Sequence, residues 1–143
     1  MKYNLDRNAK FVSMLVPFAH LAAATTHTGI DTRGYDEMSI LYHTGVAGAT
    51  AESQLSVWES ASQGTEASYA SIAGLTPTQV TATAGTNTVG VLRMDLRKRK
   101  RYIRVKNVGD GTNAVTFGVA GVLTGAKTAP FAQPTGATVI GSV

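Results

Sequence analysis

Short runs in which apolar and polar side chains alternate every second residue, separated by Gly, Thr, Asn and Asp, dominate the chain. That period belongs to half-buried β-strands. Residues 36–43 place Met38, Ile40 and Tyr42 on one face, and Gly45 and Gly48 end the run. In residues 54–60, Leu55 and Val57 point inward and Ser56 outward, while Trp58 breaks the outward polarity. Gln63, Gly64 and Thr65 read as a turn, residues 69–75 as a short ordered stretch of open type, and the Thr-rich stretch around Pro77 as a loop. Val89 and Val91, followed by Leu92, Met94 and Leu96, predict a strand with a bulge. Residues 101–108 set Ile103 and Val105 against Tyr102, Arg104 and Lys106; residues 107–113 read as a turn; and residues 114–123 carry Val115, Phe117, Val119 and Leu123 on one face. The last two strands therefore predict a hairpin.

About six or seven such strands, with no long 3.6-residue repeat, predict an all-β fold: an antiparallel β-sandwich or jelly-roll-like barrel with extended termini. At most one short helix is expected, within residues 61–73. Ile40, Val57, Ile103, Val105, Phe117 and Val119 are the expected shared core. Residues 1–27 read as an N-terminal strand or arm, 28–123 as the sandwich, and 124–143, with Gly125, Pro130, Pro134, Gly136 and Gly141, as an extended C-terminal arm. A length of 143 residues suits one core.

Composition narrows the function more than the fold. Charged residues make up only 15%, too few for a helical bundle, and 43% hydrophobic content is too high for a disordered chain. The absence of cysteine excludes disulfides, thiolate zinc sites, iron–sulfur clusters and a cysteine nucleophile. No apolar run reaches the roughly 18 residues of a membrane-spanning helix. Residues 11–16 after Lys10 look like the apolar part of a leader, but Pro17 and His20 interrupt it and Asp6 occupies a region that leaders keep basic. The expectation is a cytosolically made protein beginning with a strand.

His20, His27 and His43 share no metal-ligand spacing, no GxSxG elbow is present, and Gly118 to Gly121 matches no nucleotide-binding loop. Asp36 and Glu37 are adjacent and point to opposite faces of a strand, so they cannot share one substrate bond. The chain is expected to have no catalytic, cofactor or metal site.

Between residues 93 and 106, eight Lys and Arg stand against Asp95 alone, whereas the whole chain carries only +4. The rest of the chain is therefore net acidic. Arg97, Lys98, Arg99, Lys100 and Arg101 are the candidate partner-binding residues. Three readings stay open: a subunit interface in which Arg meets carboxylates, a solvated turn that protects an edge, and phosphate binding. Tyr102 is the one aromatic in the run, which places nucleic acid last. The five cations cannot share one face of a strand, so at least the first four belong to a turn or strand end.

The order of Gly29-Ile30-Asp31-Thr32-Arg33-Gly34-Tyr35, an alternating strand to Gly45, Leu55-Ser56-Val57-Trp58-Glu59-Ser60 and Lys100-Arg101-Tyr102-Ile103-Arg104-Val105 resembles the head-decoration, or capsid-cement, proteins of tailed bacteriophages. The likeness covers residues 28–123. It departs from the pattern after Ser60, where Ala61-Ser62-Gln63-Gly64 stands in place of acidic residues. The resemblance implies a non-enzymatic virion protein that is made in the host cytoplasm, binds the major capsid protein on the outside of the shell, often as a homotrimer, and clamps neighbouring subunits. Two rival classes remain: a tail-associated module binding a receptor or carbohydrate through Trp58, Tyr35 or Tyr69, and a tail-tube or head–tail connector subunit.

Overall fold

The computed structural model describes residues 9–20, 25–81, 84–110 and 112–127. Among the described residues, ten strands succeed one another: β1 (Ala9–His20), β2 (Thr25–Thr26), β3 (Ile30–Asp31), β4 (Glu37–Ala47), β5 (Glu52–Ser60), β6 (Ala70–Ser71), β7 (Val80–Thr81), β8 (Val89–Asp95), β9 (Tyr102–Gly109) and β10 (Val115–Thr124). They build two antiparallel sheets packed as a β-sandwich. One has the order β1-β10-β4-β8; in the other, β2-β9-β5-β6 is extended by β3 on β9 and β7 on β5. Helical structure among the described residues is two single 3-10 turns, Glu66–Ser68 and Leu96–Lys98.

The inward rows form one core. Met14, Met38, Ile40, Phe117, Val119 and Leu123 from the first sheet meet Leu55, Val57, Ile103 and Val105 from the second, and all six residues expected to share a core do so. Small residues make room for the large ones. A Cβ at Gly121 would meet Met38 Cε at 2.7 Å and Val12 Cγ2 at 2.8 Å, and one at Gly90 would run into the Tyr42 ring.

Three local expectations are corrected. β9 and β10 are not a hairpin: β9 pairs with β5 and β10 with β1 and β4, so the chain between them crosses from one sheet to the other. Their apolar rows face each other across the core, an arrangement that side-by-side pairing would deny them. The bulge before the basic run is absent, because β4 and β8 pair without a break from Glu37↔Asp95 to His43↔Val89. Leu92 and Met94 then lie on the inner side while Val89 and Val91 are exposed. Finally, β4 continues through Gly45 to Ala47, and β9 continues through Asn107 to Gly109. Asn107 is a fully buried strand residue that accepts from Ser53 Oγ at 2.6 Å.

Of the expected C-terminal arm, residues 128–143 lie outside the described residues, as do residues 1–8 and 21–24 of the N-terminal segment. No helix among the described residues is long and apolar enough to cross a membrane.

Candidate functional site

The basic run folds as a defined turn between β8 and β9. Asp95 caps the Leu96–Lys98 turn by accepting from the Arg97 backbone N–H at 3.0 Å. Buried Leu96 anchors it, donating its N–H to Asp36 O at 2.8 Å. The first four cations therefore lie at an exposed strand end, as their number demands.

Much of the charge in that turn is met from within the chain. Arg97 grips Asp95 with two bonds, Nε to Oδ1 at 2.9 Å and Nη2 to Oδ2 at 2.8 Å. These bonds hold the Asp95 carboxyl at about 2, against an ordinary 3.8. Arg101 grips Asp31 in the same way, at 2.9 and 2.6 Å, and lowers the Asp31 pKa chiefly through that hydrogen bond. Arg99 lies 3.9 Å from Glu59, which also accepts the Lys100 backbone N–H at 3.1 Å. Lys98 and Lys100 are left with no carboxylate within ion-pair distance of their ammonium groups among the described residues. Lys98 lines a shallow depression of about 250 Å³ together with Arg93.

Nothing in the sequence marks Asp31 and Glu59 as counter-ions of the run. Both lie in the segments 29–35 and 55–60, which meet residues 100–105 in one corner. Asp31 and Ser60 flank Tyr102 on β3 and β5, and Arg101 O accepts the Thr32 N–H at 2.9 Å and its hydroxyl at 2.7 Å. These residues thus tie three strands together.

A second cluster covers the outer face of the β9–β5 pair. Arg104 lies between Tyr69, 4.0 Å from the ring centroid, and Trp58, at 5.8 Å. Lys106 reaches Glu66 at 2.6 Å over the Trp58 ring and lowers the Glu66 pKa by that bond. Trp58 Nε1 donates to Ser56 Oγ at 2.8 Å. Tyr69 is buried, and Tyr35 and Trp58 are partly buried.

The opposite outer face differs. Across the four-stranded sheet, Ser13, Ala120, Leu41 and Val91 lie in one register row, and Gly118, His43 and Val89 in the next. Leu41, Val89 and Val91 are 38%, 69% and 48% exposed. Arg93, one row further along β8 from Val91 on the same face, opens the depression it shares with Lys98. An apolar sheet face with a cationic end is the most distinctive surface on the molecule. Of the histidines, His43 is exposed on β4 and His27 bonds Thr28 O at 3.0 Å, while the His20 side chain lies outside the described set. No metal-binding group of His, Asp or Glu occurs among the described residues.

No protein-family model and no curated protein sequence matches the chain. Among solved structures it is similar to the PBSX exported protein XepA, with a TM-score of 0.59 and 16% identity over 100% of this chain and 46% of that one. The chain therefore spans about half the length of that protein, and the likeness is one of fold. A chain from the Bacillus endospore appendages, a family of disulfide-linked pili, matches with TM-score 0.46 and 11% identity over 85% of this chain and 91% of that one. A chain of infectious bursal disease virus Gx strain matches with TM-score 0.46 and 13% identity over 85% and 32%.

Proposed function

We propose that this chain is a non-enzymatic virion structural protein that binds the outside of a phage capsid shell and stabilises it, with the major capsid protein as partner. The observation that carries the reading is the four-stranded sheet's outer face, whose exposed Leu41, Val89 and Val91 end at Arg93 and Lys98. Protein interfaces are built this way, from a desolvated apolar centre and a polar rim. The order of motifs that resembles the cement family supports the major capsid protein as partner, and the sandwich supplies the rigid frame. Within the basic run, Lys98 and Lys100 are the contacts offered to acidic groups on the shell, because Arg97, Arg99 and Arg101 already face carboxylates of their own chain. Copies associate as a homotrimer, so that weak contacts repeated on a lattice add to a durable coat.

Cosedimentation with expanded phage shells tests this reading. The wild type pellets with shells. Leu41→Glu and Val91→Glu reduce binding at least tenfold, and the Lys98→Ser, Lys100→Ser double variant weakens binding and flattens its salt dependence. A wild-type chain that stays in the supernatant overturns the proposal, and light scattering that reports a monomer both free and on shells overturns the trimer.

A further inference from the structure

Two tight turns, each following a strand of a different sheet, line the depression of about 250 Å³ to which Lys98 contributes. In the turn after β6, Gly74 takes φ +79° and Leu75 donates its N–H to Ile72 O at 3.4 Å. This is the geometry of a type II turn, which calls for glycine at that position. In the turn after β8, Asp95 caps residues 96–98 and the Arg99 N–H closes on Leu96 O at 3.0 Å. Ile72 and Leu96 are buried in the core, so both turns are anchored. The walls of the depression are thus set before any ligand arrives.

The lining combines apolar surface with positive charge. Leu75 and buried Met94 supply the first, and Arg93, Lys98 and Arg99 the second. The carboxylate in the lining, Asp95, is already gripped by Arg97, and Arg99 lies 3.9 Å from Glu59. Counting Arg97 and Glu59 with the lining, four cations stand against two carboxylates, a surplus of +2. Arg93, Met94 and Asp95 also border a second depression, of about 290 Å³, to which Glu37 and Ser39 contribute. A ligand that extends from the first into the second therefore leaves the cations and meets Glu37. Nucleic acid, with a charge on every phosphate, suits that change badly; a peptide with a single acidic side chain suits it well. Arg93 also follows exposed Val91 in the outward row of β8, so apolar residues beside the acid find apolar surface.

We infer that this depression binds the carboxylate of an Asp or Glu side chain in an apolar-flanked segment of a partner protein, with Arg93 and Lys98 as its ionic contacts. The inference deepens the shell-binding reading, on which it rests for the identity of the partner, by naming the chemistry of one contact.

The isolated full-length chain tests it without any shell. A peptide of sequence Gly-Leu-Asp-Leu-Gly, blocked at both ends, is titrated into isotope-labelled protein, beside the same peptide with Asn in place of Asp. Amide signals of Gly74, Leu75, Met94, Lys98 and Arg99 should shift and saturate within about 10 mM of the Asp peptide. The Asn peptide should bind about fivefold more weakly, and an Arg93→Gln, Lys98→Gln double variant should bind the Asp peptide about tenfold more weakly with the rest of its spectrum unchanged. No saturable shift at these amides, equal binding of the two peptides, an unaffected double variant, or a short DNA duplex that displaces the peptide from these amides each overturn the inference. Shells that carry the wild-type chain down while the peptide fails to bind would overturn this inference alone; peptide binding without cosedimentation would support it and overturn only the shell reading.

Discussion

Arg104 packs its guanidinium against the face of Tyr69, 4.0 Å from the ring centroid, and is only 5% exposed although it belongs to the outward row of β9. Its Nε and the Tyr69 hydroxyl are both buried without a hydrogen-bond partner. The stack is held by packing, by cation–π attraction and by Arg104 Nη2, which donates to Glu66 O at 3.3 Å and lies 3.9 Å from the Glu66 carboxylate, while two polar groups in it are unsatisfied.

Tyr69→Phe removes a buried hydroxyl that bonds nothing and keeps the ring over Arg104. Its expected effect on urea unfolding ranges from neutral to about 1 kcal/mol stabilising. Arg104→Ala opens the stack and is expected to cost about 1–3 kcal/mol by the same measurement. A strongly destabilised Tyr69→Phe variant would show that the hydroxyl has a partner.

Gly29 meets this cluster from below, where an added Cβ would run into the Tyr69 hydroxyl. Gly29→Ala alone is expected to destabilise by about 1–3 kcal/mol, and Tyr69→Phe should recover part of that loss. Additive effects in this double-mutant cycle would contradict the contact.

In the core, Ser53 Oγ supplies the hydrogen bond received by fully buried Asn107, whose Nδ2 already lacks a partner. Ser53→Ala leaves the whole amide unsatisfied, and chemical denaturation should register a loss of about 1–3 kcal/mol.

Acid should weaken the carboxylate pairs of the β8–β9 corner. The Asp95 carboxyl, at about 2, is more acidic in the folded chain than its ordinary 3.8, so the unfolded chain takes up protons first as pH falls. The stabilisation from the Arg97 pair is whole above roughly pH 4 and is lost as pH falls through about 2. Asp31, lowered by Arg101, changes in the same direction. Carboxyl-carbon titration by NMR should show Asp95 rising toward 3.8 in Arg97→Ser; an unmoved midpoint would contradict the pairing.

The strands and their inward rows are legible because period two is a property of neighbouring residues. Met38 and Ile40, Leu55 and Val57, and Phe117 and Val119 announce which side faces the core before any partner strand is known. Asn107 shows the limit of that reading: it continues the inward row of Ile103 and Val105, yet as a turn-forming residue followed by Gly109 it reads as the end of the strand. The Ser53 hydroxyl, 54 positions away, makes its burial tolerable.

The β class, the composition of the core and the place where cations crowd can all be read from the order of residues. Packing in three dimensions put β9 and β10 in different sheets, brought Asp31 and Glu59 to Arg101 and Arg99, buried Arg104 and left Val89 and Val91 on an open apolar face. Alternation states that a side chain points one way or the other. Which way is wet, and which carboxylate waits there, depends on strand pairing between residues far apart in the chain, a choice made by the packing of the whole core.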